Sequence, residues 1–232
     1  MLATDAASAA ATWRPQLFGD RKARQIADPI VEPLWTGPRI LAFVNGGVAR
    51  LTDVDGDPIE GELAIEVALV EAAAGATILV EAFLTPEPLQ AVADIAGREV
   101  IATPKVGDAV TQMILGSRGE RKHRLAERRD EARRRTVEGA DDQLALVAVD
   151  LVWLDDESLC DVPLLERKRI LESVLPESQL IRVGVHVKPP IDTWLGSWRS
   201  FGFHRLSFKA ANSRYLPGRK NQDWAQALIP PR

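Results

Sequence analysis

The side chains best suited to holding a phosphate gather near one end of this 232-residue chain. Residues 213–224 read Ser-Arg-Tyr-Leu-Pro-Gly-Arg-Lys-Asn-Gln-Asp-Trp, so Arg214, Arg219 and Lys220 interleave with Tyr215 and Trp224. Cations that neutralise phosphate, beside aromatic faces that stack on bases, are the chemistry of nucleic-acid contact. The competing reading is structural and is favoured: Tyr215 and Trp224 anchor a turn at Pro217-Gly218 while the cations stand in water. A second basic feature is the stretch 118–135, where nine Lys or Arg face four Asp or Glu, a local charge of +5. Arg133, Arg134 and Arg135 close it and are candidates for a polyanion-facing surface. The pairs Glu120–Arg124, Asp130–Arg134 and Glu131–Arg135 equally suit an exposed helix, the favoured reading. His204 is a lone strand histidine. Cys160 lies beside Asp161, whose charge disfavours a thiolate, and is a poor nucleophile.

Composition narrows the class. A net charge of −4 gives no global signature of nucleic-acid binding, so such a surface has to be local. One cysteine excludes an intrachain disulfide and a cysteine-rich metal site, and it fits a reducing, cytoplasmic setting. The first residues lack a basic region followed by an apolar core, and no stretch reaches 18 uninterrupted apolar residues, so neither a secretory signal nor a membrane span is expected.

The elements that must position these groups are read from periodicity. Residues 1–28, alanine-rich and then polar, read as a loosely attached, partly disordered arm, with one domain over 29–232. Arg39–Val44 and Val48–Asp53 are two strands around Asn45-Gly46, a strong hairpin signal. A helix over Glu62–Ala74 stops at Gly75, followed by a buried strand over Thr77–Leu84. The longest helical pattern covers 107–137, and the near-continuous apolar run 144–154 is a central strand. Pro163 opens a helix striped by Leu164, Leu165, Leu171, Val174 and Leu175. Two more strands follow, Ile181–Val187 and Phe203–Lys209. Strands and helices without regular alternation give an α+β fold.

Three segments carry a family resemblance, in order, over about residues 30–228. Leu-Trp-Thr-Gly-Pro-Arg at 34–39 is the first. Val149 to Leu159, running into Pro-Leu-Leu-Glu-Arg-Lys-Arg-Ile-Leu at 163–171, is the second. Gly202 to Lys209, leading to Trp224, is the third. Together they resemble the adenylation domain of ATP-dependent DNA ligases, which implies two mainly antiparallel sheets packed with helices. The resemblance places Leu34 where the K-x-D-G-x-R motif has its nucleophilic lysine, and Thr36 where it has aspartate; Gly37 and Arg39 match. Val149 stands for the aromatic that stacks on adenine, and Asp150 matches. In the E-G-x-x-x-K motif the glutamate becomes His204 while Lys209 keeps the lysine. In W-x-K-x-K, Trp224 is kept and Gln226 and Leu228 replace both lysines. Placing Glu81-Ala82-Phe83 on the D-G-E motif puts Phe83 where a glutamate supports ribose and metal.

The resemblance thus implies a domain that keeps its fold-specifying glycines and apolar strands and lacks its chemistry. Leucine has no nucleophilic atom, so no lysyl-AMP is expected. No catalytic or metal-binding residue is assigned and no cofactor is required. Arg39 and Lys209 are the candidates for a residual site for ATP, with or without Mg²⁺, and the alternative makes each an ordinary strand cation. Ligases of this kind continue into an OB-fold domain, for which little sequence follows Trp224. Three functions stay open. One is an inactive homologue binding nucleotide or nucleic-acid ends, with nucleic acid or a DNA-repair protein as partner. The second is a structural or protein-interaction module, and the third an atypical active ligase.

Overall fold

The computed structural model describes residues 3–85 and 144–230. The helix expected over 107–137, with Arg133, Arg134 and Arg135, lies outside the described residues.

The hairpin signal is realised as β3 (Arg39–Asn45) and β4 (Val48–Thr52), paired from Asn45 with Val48 to Leu41 with Thr52. Its two turn residues, Gly46 and Gly47, both have positive φ, as the tight primed turn demands. Helix α2 (Leu63–Ala73) packs Ile65 and Leu69 against this hairpin and ends where Ala74 and Gly75 turn left-handed. Strands β5 (Ile78–Thr85) and β6 (Ala145–Leu154) are buried almost throughout, which is why their sequences read as unbroken apolar runs. With β7 (Glu157–Ser158) they give the order β4-β3-β5-β6-β7, antiparallel throughout, and β8 (Ile181–Val183) joins β6 in parallel. Pro163 caps α3 (Leu164–Val174), whose Leu171 enters the same core.

A second sheet of three antiparallel strands has the order β11-β9-β2, from β2 (Pro29–Pro33), β9 (Arg205–Ala210) and β11 (Trp224–Leu228). The fold is α+β with two larger, mainly antiparallel sheets, as the resemblance implies, and a two-stranded parallel pair beside them. The strand expected over Ile181–Val187 is divided between them. Residues 181–183 pair with β6, Gly184 donates to the Ala148 carbonyl at 2.7 Å, and Val187 then bridges to Val31 of β2. A Cβ at Gly184 would stand 3.1 Å from Val149 Cγ1, so a glycine suits the crossing.

The arm expected to be loosely attached is packed instead. Asp5 caps α1 (Ala6–Thr12) by accepting from the Ser8 amide at 2.8 Å. Ala9 is fully buried, and the Trp13 ring lies 5.8 Å from that of Trp153. Small alanines let the helix approach the sheet closely without the large apolar stripe that would have announced it. Farther on, β1 (Leu17–Phe18) pairs in parallel with β10 (Lys220–Asn221). Strand β2 was masked by its terminal prolines, which an edge strand tolerates. Helix α4 (Asp192–Ser200) carries Gly196 and two tryptophans, residues that do not announce a helix.

Candidate functional site

The polar groups of interest come from the facing strands and from α3. Register places Glu81 of β5 directly opposite Asp150 of β6, two carboxylates side by side in a buried sheet. Each has its own arginine. Arg39 reaches Glu81 Oε1 with Nε at 2.8 Å and Nη2 at 2.5 Å, and the Tyr215 hydroxyl donates to the other carboxylate oxygen. Arg167 of α3 grips Asp150 with Nε at 2.8 Å and Nη2 at 2.7 Å, a bidentate pair with both side chains fully buried. Burial opposes the charged form of Arg167, but Asp150 outweighs it and the guanidinium pKa is raised. Burial also lifts the Tyr215 hydroxyl well above its ordinary value, helped by Glu81, so it remains a donor.

A third carboxylate sits on the other sheet. Glu32 of β2 lies opposite Ser207 of β9, whose hydroxyl donates to it at 3.1 Å. Two residues along β9, Lys209 Nζ is 2.6 Å from Glu32 Oε2 and 4.3 Å above the Trp224 ring. Lys168 of α3 pairs with Glu32 Oε1 and donates to the Val149 carbonyl at 2.8 Å. Burial by itself would push the Glu32 carboxyl up; the two lysines instead hold it down at about 2. Lys209 is depressed below the ordinary lysine value, by burial first and then by Lys168, against the attraction of Glu32. Two ammonium groups thus share one carboxylate in a nearly water-free place. His186 is pushed down to about 4 by burial and by Lys168, so it is neutral at pH 7.

The positions matched to the ligase motifs lie on the strands that carry this network, at their ends or on neighbouring strands. Leu34 is half-buried just after β2 and donates its amide to the Arg205 carbonyl at 2.9 Å. Trp35 is buried edge-on to Phe203, with centroids 5.0 Å apart. Thr36 and His204 are exposed, and Phe83, paired with Arg39 across β3 and β5, is buried. Gln226 and Leu228 stand in exposed positions on β11. Arg39 and Lys209 are therefore not joined in one anion site by direct contact; each holds a different carboxylate.

Tyr215 and Trp224 are 2% and 0% exposed, so the aromatic residues of the closing segment, residues 213–224, are structural and unavailable for stacking. Its cations are at the surface. Arg214 pairs with Asp161 at 3.0 Å, Lys220 with Asp20 at 2.8 Å, and Arg219 is exposed. Burial raises the Cys160 thiol to about 11, which keeps it protonated and unreactive at neutral pH. Sequence reasoning passed over Glu32 and Lys168. Both had a signal: Glu32 is a charge inside Ile-Val-Glu-Pro, and Lys168 falls on the helix face of Leu164, Leu171 and Leu175 at positions i+4, i+7 and i+11.

Leu34 offers no nucleophile, Glu32, Glu81 and Asp150 are all held by cations, and no group of three His, Cys, Asp or Glu among the described residues could hold a metal. No helix among the described residues is long and apolar enough to cross a membrane.

No protein-family model and no curated protein sequence matches the chain. Solved structures do. The ligase domain of Mycobacterium tuberculosis LigD superposes over 93% of this chain with a TM-score of 0.61 at 20% identity. The chain has the fold of an ATP-dependent DNA ligase adenylation domain. A mycobacterial DNA ligase D complexed with ATP and MES matches likewise at 0.61 and 19% over 93% of this chain, and Chlorella virus DNA ligase-adenylate at 0.52 and 12% over 91%. The chain spans 59% and 60% of the two mycobacterial structures and 64% of the viral one. Identities this low speak for the ligase fold alone.

Proposed function

We propose that this ligase-fold protein does not adenylate itself, and that it serves nucleic-acid transactions as a binding module. The observation that carries the reading is the self-satisfied charge network: Glu32 holds Lys168 and Lys209, while Glu81 and Asp150 hold Arg39 and Arg167. Adenylyl transfer needs a nucleophile, carboxylates left open for a cation and cations left open for a triphosphate. Here the position aligned with the nucleophile is Leu34, and the charges that would meet nucleotide neutralise one another. In place of a nucleotide, the network ties the two sheets and α3 together.

Nucleic-acid contact falls to the exposed Arg214, Arg219 and Lys220, with the basic sequence of 118–135 as a second source of positive charge. Lig E DNA ligases, one of the fold neighbours, bind DNA with a minimal scaffold, which supports a binding role for this fold.

Two experiments test the halves separately. Incubation with α-labelled ATP and Mg²⁺ or Mn²⁺ leaves the protein without covalent label, and Leu34→Lys does not gain one, because Thr36, Phe83 and the neutralised Lys209 stay as they are. A labelled wild-type band overturns this half. Nicked duplex is retarded in a salt-dependent way, and the triple variant Arg214→Glu, Arg219→Glu, Lys220→Glu weakens it. Retardation unaffected by that variant removes the closing segment from the interface.

A further inference from the structure

Helix α2 supplies no member of the Glu32, Glu81 and Asp150 charge network. This helix is apolar on nearly all sides: Ile65, Leu69, Ala72 and Ala73 face the core, while Leu63 and Val67 on the outer side are 69% and 50% exposed. Leu63, Val67 and the half-buried Val70 fall at i, i+4 and i+7, one continuous stripe. Val48, at the hairpin tip, is 55% exposed and completes a shallow groove of ≈ 380 Å³ between hairpin and helix. A helix that is hydrophobic all round belongs in an interior, and a contiguous apolar surface on a soluble domain marks a contact.

The charges around the stripe identify what covers it. The groove is lined by Glu66 and Glu71, Glu62 precedes the helix, and α2 contains no Lys or Arg. Arg50, on the same strand as Val48, does not line the groove. A second copy of the chain packed on this face would bring the same acidic lining and no basic residue to meet Glu66 and Glu71, which costs affinity. We propose that the α2–hairpin groove docks an amphipathic helix of a protein partner, with an apolar stripe flanked by lysines or arginines. Leu63, Val67 and Val48 take the stripe, and Glu66 and Glu71 meet its basic flanks, the helix-in-groove mode of recognition.

The test uses the full chain and a fluorescent synthetic helix with leucines on one face and lysines on the other. Fluorescence anisotropy shows saturable binding, whereas a matched helix with glutamates in place of lysines does not bind. Leu63→Ser with Val67→Ser weakens binding about tenfold or more while thermal unfolding is unchanged, since both side chains are exposed. Glu66→Gln with Glu71→Gln weakens binding and flattens its salt dependence. Equal binding by the Leu63→Ser, Val67→Ser variant overturns the proposal, as does equal binding of the glutamate helix. Sedimentation that shows a dimer dissociated by the same substitutions overturns it in favour of a second copy. None of these readouts depends on ATP labelling or nicked duplex, so this inference and the proposed function fail separately.

Discussion

Replacing Glu32 by Gln is the sharpest probe of the inter-sheet network. The carboxylate is 3% exposed and is shared by two buried ammonium groups, so its loss leaves Lys168 and Lys209 facing each other without a counter-charge. Two routes give the magnitude. Its pKa of about 2, against an ordinary 4.5, corresponds to roughly 3 kcal/mol of stability at neutral pH. Stripping one partner from a buried ion pair independently costs about 3–5 kcal/mol. A loss of that size is a large share of the ~5–15 kcal/mol available to a folded domain. Urea titration at pH 7 reads it directly. Because the folded pKa is depressed, the contribution is fully present above 4.5 and fades as pH falls from 4.5 to about 2. The gap between wild type and Glu32→Gln therefore narrows through that window.

Lys209→Met is the companion variant. It leaves Glu32 with Lys168 and Ser207 and removes the excess positive charge, at the expense of the contact with Trp224. Its stability changes by less than about 1 kcal/mol. A Glu32→Gln loss below ~1 kcal/mol at pH 7, or a gap that stays constant down to pH 2, refutes the reasoning. So does a Lys209→Met variant that is the more damaged of the two.

Two smaller perturbations test the packing around the network. Tyr215→Phe deprives the Gln16 amide of its 3.1 Å acceptor and Glu81 of a donor, so reversible unfolding shows a loss of about 1–3 kcal/mol. No measurable change would argue that the hydroxyl is not part of the core. Gly37→Ala is expected to cost at least ~2 kcal/mol, because φ is +95° and the new Cβ would lie 2.0 Å from the Leu84 carbonyl oxygen. Gly46→Ala, also at positive φ but with nothing within 4 Å, is the control and costs about 1 kcal/mol, read in the same thermal melts.

Much of the architecture follows from local rules that the chain carries openly. Asn45-Gly46 signals the hairpin, though the two positive-φ turn positions fall one residue later on Gly46 and Gly47, and the apolar runs at 78–85 and 145–154 specify central strands because both faces are covered. Gly37, Arg39, Asp150 and the closing segment mark the ligase fold in sequence, and the superposition on ligase domains agrees with it. That Leu34 cannot form a bond to phosphorus is equally a fact of sequence, since it depends on one side chain's atoms.

Pairing between charges was not legible in this way. Arg39, Lys209 and Lys168 look alike as cations in sequence; only the register of β2 on β9 and the docking of α3 bring Glu32 between two lysines and leave Arg39 with Glu81. For the aromatic residues the sequence left two readings, stacking platforms or, the favoured one, anchors of the Pro217-Gly218 turn, and tertiary packing buries Tyr215 and Trp224 as anchors. Alanine-rich residues 6–12 carried too little hydrophobic contrast to announce a docked helix, and α2 carried too much to show which side stays exposed. Sequence determines which atoms are available for chemistry and which segments are extended or helical. Which charges cancel, and which apolar faces remain uncovered, depends on contacts between residues far apart in the chain, and those exist only in the folded structure.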